Sequence, residues 1–222
     1  MGKRVFSVHT SFGIVDAVSQ VFKELLPDVE QIPIVDDSLL ADVRRAGYLT
    51  QAVTRRLVLY YLAAEAGGAD VILNCCSSVG EAVDAGRPLV SVPIVRIDEQ
   101  MARQAVQMAS DIGVLATVET TLPPTTRLVQ RAAVEAGRTI KVRQDLCTGA
   151  MDALFYEKDA AKHDRLVLEG IRRMAAENEV VVLAQGSMAR LVPQLDAETA
   201  ARVLSSPRGG VLKVKELLEQ AR

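Results

Sequence analysis

The chain is short of the residues that usually announce a cofactor, a metal or a nucleic-acid partner. It has no tryptophan, four tyrosines and four phenylalanines, so no aromatic cluster singles out the side chain of a ligand. Its two histidines, His9 and His163, stand far in sequence from the cysteines, and there is no CxxC; no metal is expected. Three cysteines, two of them adjacent, do not make a disulfide framework and imply a reducing, cytoplasmic location. The formal net charge is −2 with no basic cluster, which argues against nucleic acid. No uncharged apolar run approaches the roughly 18 residues of a membrane span. The apolar stretch behind Met1-Gly2-Lys3-Arg4 is broken by His9 and Asp16, so a signal peptide is not expected. Neither standard Gly-rich nucleotide loop occurs and pyridoxal phosphate is not indicated, so no cofactor is expected.

What the chain has is material for a core. Its 222 residues are 49% hydrophobic and 24% charged, which suits one large domain or two halves of roughly a hundred residues each. Short apolar runs alternate with helical periodicity. Strands are expected at Arg4–Val8, Ile32–Val35, Val71–Leu73, Leu89–Val92, Ile112–Ala116, Ile140–Val142 and Val180–Ala184. Helices are expected at about Ile14–Leu25, Val43–Ala66, Asp98–Ser110, Thr125–Ala136, Lys162–Glu177 and Val211–Gln220. This alternation predicts an α/β fold of mostly parallel sheets with helices on both faces.

In such sheets ligands sit beyond the carboxyl ends of the strands. Those ends carry small or polar groups: His9-Thr10-Ser11, Cys75-Cys76-Ser77, Thr117 to Thr121, and Gln185-Gly186-Ser187. The run Val71-Ile72-Leu73-Asn74-Cys75-Cys76-Ser77-Ser78-Val79-Gly80 reads as a strand breaking into a helix N-terminus. A thiol there meets unpaired amides and the positive end of a helix dipole, which favours thiolate. Cys75 is therefore the expected acid/base; the competing reading is that small residues merely let a helix pack close. Cys76 and Cys147 read as packing residues, with a strand longer by one swapping Cys75 and Cys76. His163 reads as structural, and His9 as a satisfied histidine or an acid/base. Ser11 reads as a helix cap, Arg96 as a solvated arginine, and Asp98-Glu99 as acids favoured at a helix start.

The segment Gly68–Cys75 is echoed by Asn178–Gln185, 110 positions later. Two pseudo-symmetric βα halves are expected, residues 1–96 plus about 197–222 and residues 97–196. They would set Cys75 and Gln185 on opposite walls of one cleft. At these residues the chain resembles the aspartate/glutamate/hydantoin racemase superfamily. Leu73-Asn74-Cys75-Cys76-Ser77 resembles that family's first Cys-Asn-Thr segment. Ile112-Gly113-Val114-Leu115-Ala116-Thr117-Val118-Glu119-Thr120-Thr121 resembles the stretch opening its second half. Val182–Ala189 resembles the segment of its second cysteine. The resemblance implies a duplicated α/β fold with one cysteine at a strand tip of each half, and a substrate carboxylate held near Thr117 and Thr120. The departure is Gln185, which stands where the second cysteine is expected and cannot ionise.

The function implied is a cofactor-independent racemase or isomerase that moves a proton at the carbon next to the carboxylate of a small amino or hydroxy acid. Cys75 acts on the proton. Thr10, Ser11, Cys76, Ser77, Ser78, Thr117, Thr120, Gln185, Gly186 and Ser187 hold the substrate and stabilise the developing enolate. The partner is thus a small carboxylate, with no nucleic acid and no membrane, and the chain is expected to form a homo-oligomer, a dimer by the usual symmetry. Two alternatives stand beside it. One is a single-cysteine lyase like the arylmalonate decarboxylases, which the chain also distantly resembles, although their cysteine lies in the second half. The other is a non-catalytic carboxylate-binding protein.

Overall fold

The computed structural model describes residues 2–220. Two four-stranded parallel sheets follow one another along the chain. The first holds β1 (Arg4–His9), β2 (Glu30–Val35), β3 (Val71–Asn74) and β4 (Ile94–Arg96) in the order β2-β1-β3-β4. The second holds β5 (Asp111–Ala116), β6 (Lys141–Leu146), β7 (Val180–Leu183) and β8 (Val203–Leu204) in the order β6-β5-β7-β8. Register repeats as well as order. Val5 pairs with Val71 as Ile112 pairs with Val180, and Ile72 pairs with Ile94 as Val181 pairs with Val203. The expected α/β duplication is therefore two copies of one topology.

The helices are α1 (Val15–Leu25), α2 (Ser38–Ala46), α3 (Gln51–Ala66), α4 (Ala82–Gly86), α5 (Glu99–Met108), α6 (Leu122–Glu135), α7 (Ala150–Phe155), α8 (Ala160–Glu177), α9 (Ala197–Ala201) and α10 (Ser206–Gln220). Central strands β3 and β7 are buried throughout, which is why they read as unbroken apolar runs rather than alternating ones. One face of the first sheet packs Val5, Val71 and Leu73 against Val18 and Phe22 of α1 and Val211, Val214 and Leu218 of α10. The other packs Phe6, Val8 and Ile72 against Leu39 of α2, Leu57 and Tyr61 of α3 and Val83 of α4. In the second sheet, Ile112, Val114 and Val182 meet α5 and α6, while Leu115, Val181 and Leu183 meet α7 and α8.

Several boundaries differ from the sequence expectation. The stretch Val43–Ala66 is two helices, not one. Gly47, with φ +80°, ends α2 in the left-handed conformation that costs glycine nothing. Thr50 then caps α3, its Oγ1 accepting from the Val53 N–H at 3.2 Å. The strand expected at Leu89–Val92 is a 3₁₀ turn, Arg87–Leu89, followed by loop; β4 starts only at Ile94, after Pro93, which has no N–H to give a ladder. Short elements α4, α7, α9 and β8 were not expected. The chain divides into residues up to Gln100 together with those from Pro207 on, and Met101–Ser206. The second division falls later than the expected 197, because α9 and β8 belong to the second sheet's edge. Among the described residues, no helix is long and apolar enough to cross a membrane.

Candidate active site

In the first unit, the tip of β3 separates two adjacent thiols. Cys75 takes the last place in the ladder, its N–H donating to the Val8 carbonyl at 2.9 Å. Its side chain is buried among Val71, Ile97 and Val211, and its Sγ reaches the Leu73 carbonyl at 3.6 Å. Burial pushes this thiol far up, and neighbouring Cys76 adds to the effect. Cys75 is thus a neutral core residue, and the sequence-based choice of Cys75 as a poised thiolate conflicts with its burial. Cys76 differs. It is half-buried, on extended backbone with φ −136°, and directly precedes the 3₁₀ turn Ser77–Val79. Burial raises its pKa too. Against that, the Thr10 hydroxyl and the N–H groups of Ser78 and Val79 lower it, while Asp98 raises it. Hydrogen bonds to the ionised form favour thiolate, so these donors make this sulfur the more readily ionised of the pair.

The turn is held from behind. The Tyr61 hydroxyl donates to Asn74 Oδ1 at 3.0 Å, and Asn74 Nδ2 donates to the Cys76 carbonyl at 3.1 Å. Thr10, Ser77 and Ser78 are buried around it. Ser11 lies on extended backbone before the turn Phe12–Ile14 and makes no side-chain cap bond, so its expected role as a cap is not realised.

The second unit carries the matching tip. Ala184 donates to Leu115 at 2.9 Å as Cys75 does to Val8. Gln185 then stands on extended backbone before the 3₁₀ helix Gly186–Gln194, as Cys76 does before its own turn. Gln185 is therefore the counterpart of Cys76, one residue later than the sequence comparison with Cys75. Its amide is engaged with the tip of β5. Oε1 accepts from the N–H of Thr117 at 2.6 Å and of Val118 at 3.3 Å, and Nε2 donates to Thr117 Oγ1 at 2.7 Å. Thr10 faces Cys76 in the first copy as Thr117 faces Gln185 in the second. Thr117 Oγ1 also contacts Met151 Sδ at 3.2 Å. Thr120 Oγ1 is buried with no partner among the described residues, Gly186 is half-buried, and Ser187 is exposed.

The two halves share one topology, with a thiol at one strand tip. The family described as Asp/Glu/Hydantoin racemase matches residues 4–213. The chain belongs to this family. Among solved structures, the allantoin racemase from Klebsiella pneumoniae is 17% identical with a TM-score of 0.70, covering 99% of this chain and 89% of that one. The glutamate racemase isoform RacE1 from Bacillus anthracis is 16% identical with a TM-score of 0.73, covering 99% and 82%. The aspartate racemase of Picrophilus torridus is 13% identical with a TM-score of 0.71, covering 97% and 94%. These likenesses show the racemase fold. No curated protein matches the sequence closely enough to count as a relative.

Within this racemase-family fold the remaining ionisable candidates fall into place. Cys147 is buried, its thiol pushed up to about 12 by burial, and lies against Gly170, where a Cβ would stand 2.7 Å from its Sγ. His163 Nδ1 meets Asp164 Oδ1 at 2.8 Å, and Arg190 clamps Asp164, a structural network as expected. Arg96 differs from its expectation as a solvated residue. It and Asp98, the residue directly before α5, are fully buried and bound to each other. Glu99 instead pairs with Arg87 at 2.7 Å. The signal was present in Arg96-Ile97-Asp98, two charges at strand spacing beyond an apolar run, but an arginine is by default exposed.

His9 is fully buried, and both ring nitrogens lack a partner among the described residues. Burial lowers its pKa from 6.5 to about 4, so it is neutral at pH 7 and offers no ready acid. A base whose folded pKa lies below its unfolded one takes up its proton on unfolding. Its contribution to stability is complete above pH 6.5 and drains away as the pH falls toward 4. The expected loss across that window is about 3 kcal/mol. Urea titrations of wild type and His9→Leu at a series of pH values should differ by this slope; parallel curves would disprove it.

Proposed function

We infer that the chain catalyses cofactor-independent proton transfer at the carbon next to the carboxylate of a small amino or hydroxy acid, with Cys76 as the acid/base. The observation that carries this is the half-buried Cys76 thiol at the strand tip, directly before the turn Ser77–Val79, where the Thr10 hydroxyl and two turn amides favour its ionised form. Such a sulfur can give a proton to one face of a carbanion and take it back, while the neighbouring Ser77 and Ser78 offer hydroxyls to the carboxylate and developing enolate. Racemase-type chemistry is the family's. Incubation in deuterium oxide with aspartate, glutamate, allantoin and small hydroxy acids, read by mass spectrometry, tests the reading. Incorporation at the α carbon of at least one compound is expected, and none with any of them would defeat it.

A second reading is favoured by Gln185, whose amide is committed to Thr117 and cannot serve as a second acid. One thiol suffices to protonate the carbanion left when carbon dioxide departs. Carbon dioxide release from substituted malonates distinguishes this lyase from the isomerase. The proposal includes a cytoplasmic location, supported by three free cysteines, and a homodimer, supported by the prevalence of two-fold assemblies.

A further inference from the structure

The first sheet buries an ion pair that the second does without. Arg96 ends β4, and its Nε and Nη2 donate to Asp98 Oδ1 and Oδ2, both at 3.0 Å. The two side chains are 0% and 1% exposed. The guanidinium lies flat against Gly80, where a Cβ would stand 2.5 Å from its Cζ. After β8, at the matching place, the chain reads Ser205-Ser206-Pro207, with no charge. The topology thus closes without this pair, and a buried pair is a weak device for stability.

Register says what it stands beside. Asn74 pairs with Arg96, and the Ile97 N–H donates to the Asn74 carbonyl at 3.0 Å. Just past these strand ends, Cys76 packs with Ile72, Val79 and Ile94, and the Arg96 that holds Asp98 lies against Gly80 at the end of the turn that follows Cys76. Taking Cys76 as the acid/base, as proposed above, we propose that Asp98, clamped by Arg96, is a positioning residue that keeps Cys76 as a thiol ready to donate its proton. The Asp98 charge makes the thiolate the costlier form, so the resting site holds the proton and the thiolate left after donation recovers one readily. Arg96 fixes where that charge sits, and Gly80 gives Arg96 its room. Three further titratable groups stand at or behind this strand tip: Cys75, Tyr61 from α3, and His9 from the tip of β1, which is neutral at pH 7. Cys75 and Tyr61 are neutral acids raised by burial, whereas the Asp98 charge raises the Cys76 thiol.

The test is the pH profile of iodoacetamide alkylation at Cys76, mapped by mass spectrometry in the full chain, with Cys76→Ser as the blank. In wild type the midpoint should lie above the ordinary thiol range. Asp98→Asn should move it down, and each unit of movement raises the rate at pH 7.5 about tenfold. Asp98→Asn leaves Arg96 unpaired, so Arg96→Met/Asp98→Leu provides a second folded background in which the same downward movement is expected. A normal wild-type profile that neither variant moves overturns the role of Asp98 while sparing Cys76. A Cys76 that resists alkylation up to pH 10 in folded wild type overturns both the proposal and the choice of Cys76.

Discussion

Cys76→Ser is expected to lower kcat/KM for α-proton exchange by on the order of 10²–10⁴-fold, the usual contribution of a general acid or base. Cys75→Ser should stay within about threefold of wild type. The two substitutions are chemically identical and one residue apart, so any difference between them reports position. Serine at 76 keeps the extended backbone before the Ser77–Val79 turn but cannot ionise in the useful range. Serine at 75 keeps a donor toward the Leu73 carbonyl and a similar volume, in a site whose thiol is already neutral. The reverse result, activity surviving at 76 and lost at 75 in folded proteins, would reinstate Cys75 and remove the amides of Ser78 and Val79 from the mechanism.

That one-residue question shows where sequence reasoning runs out. The alternation of apolar runs and helical periods marks both halves and most of the central strands, because strands covered on both faces must be apolar throughout. It says nothing about where a ladder ends. The last pairing in the first sheet is set by the bond from Cys75 to Val8, and its counterpart by the bond from Ala184 to Leu115. Aligning Cys75 with Gln185 is therefore a plausible reading of letters that the hydrogen bonds displace by one position. Very short elements such as Val203–Leu204 carry too few residues to show a period. The split after Gly47 is hidden because the apolar residues on either side of it continue the helical spacing. The Arg96–Asp98 pair is the clearest gap, since burial of a charge depends on what closes over it rather than on its own neighbours in sequence.

The second large effect concerns stability at that pair. Arg96→Met alone should cost about 3–5 kcal/mol, because it leaves the Asp98 carboxylate buried with no partner. That is a large share of the roughly 5–15 kcal/mol typical of a folded domain. Arg96→Met/Asp98→Leu removes both charges and refills the space with apolar atoms, and should lie within about 1 kcal/mol of wild type or above it. Urea midpoints of the two variants give the comparison directly. Gly80→Ala adds a geometric check. Its methyl would stand 2.5 Å from Arg96 Cζ, and a guanidinium tied by two hydrogen bonds cannot swing aside cheaply. The alanine should therefore destabilise wild type clearly and the Arg96→Met/Asp98→Leu background much less, since a flexible methionine can yield. Equal costs in the two backgrounds would mean that Gly80 is required for some reason other than the arginine stacked on it.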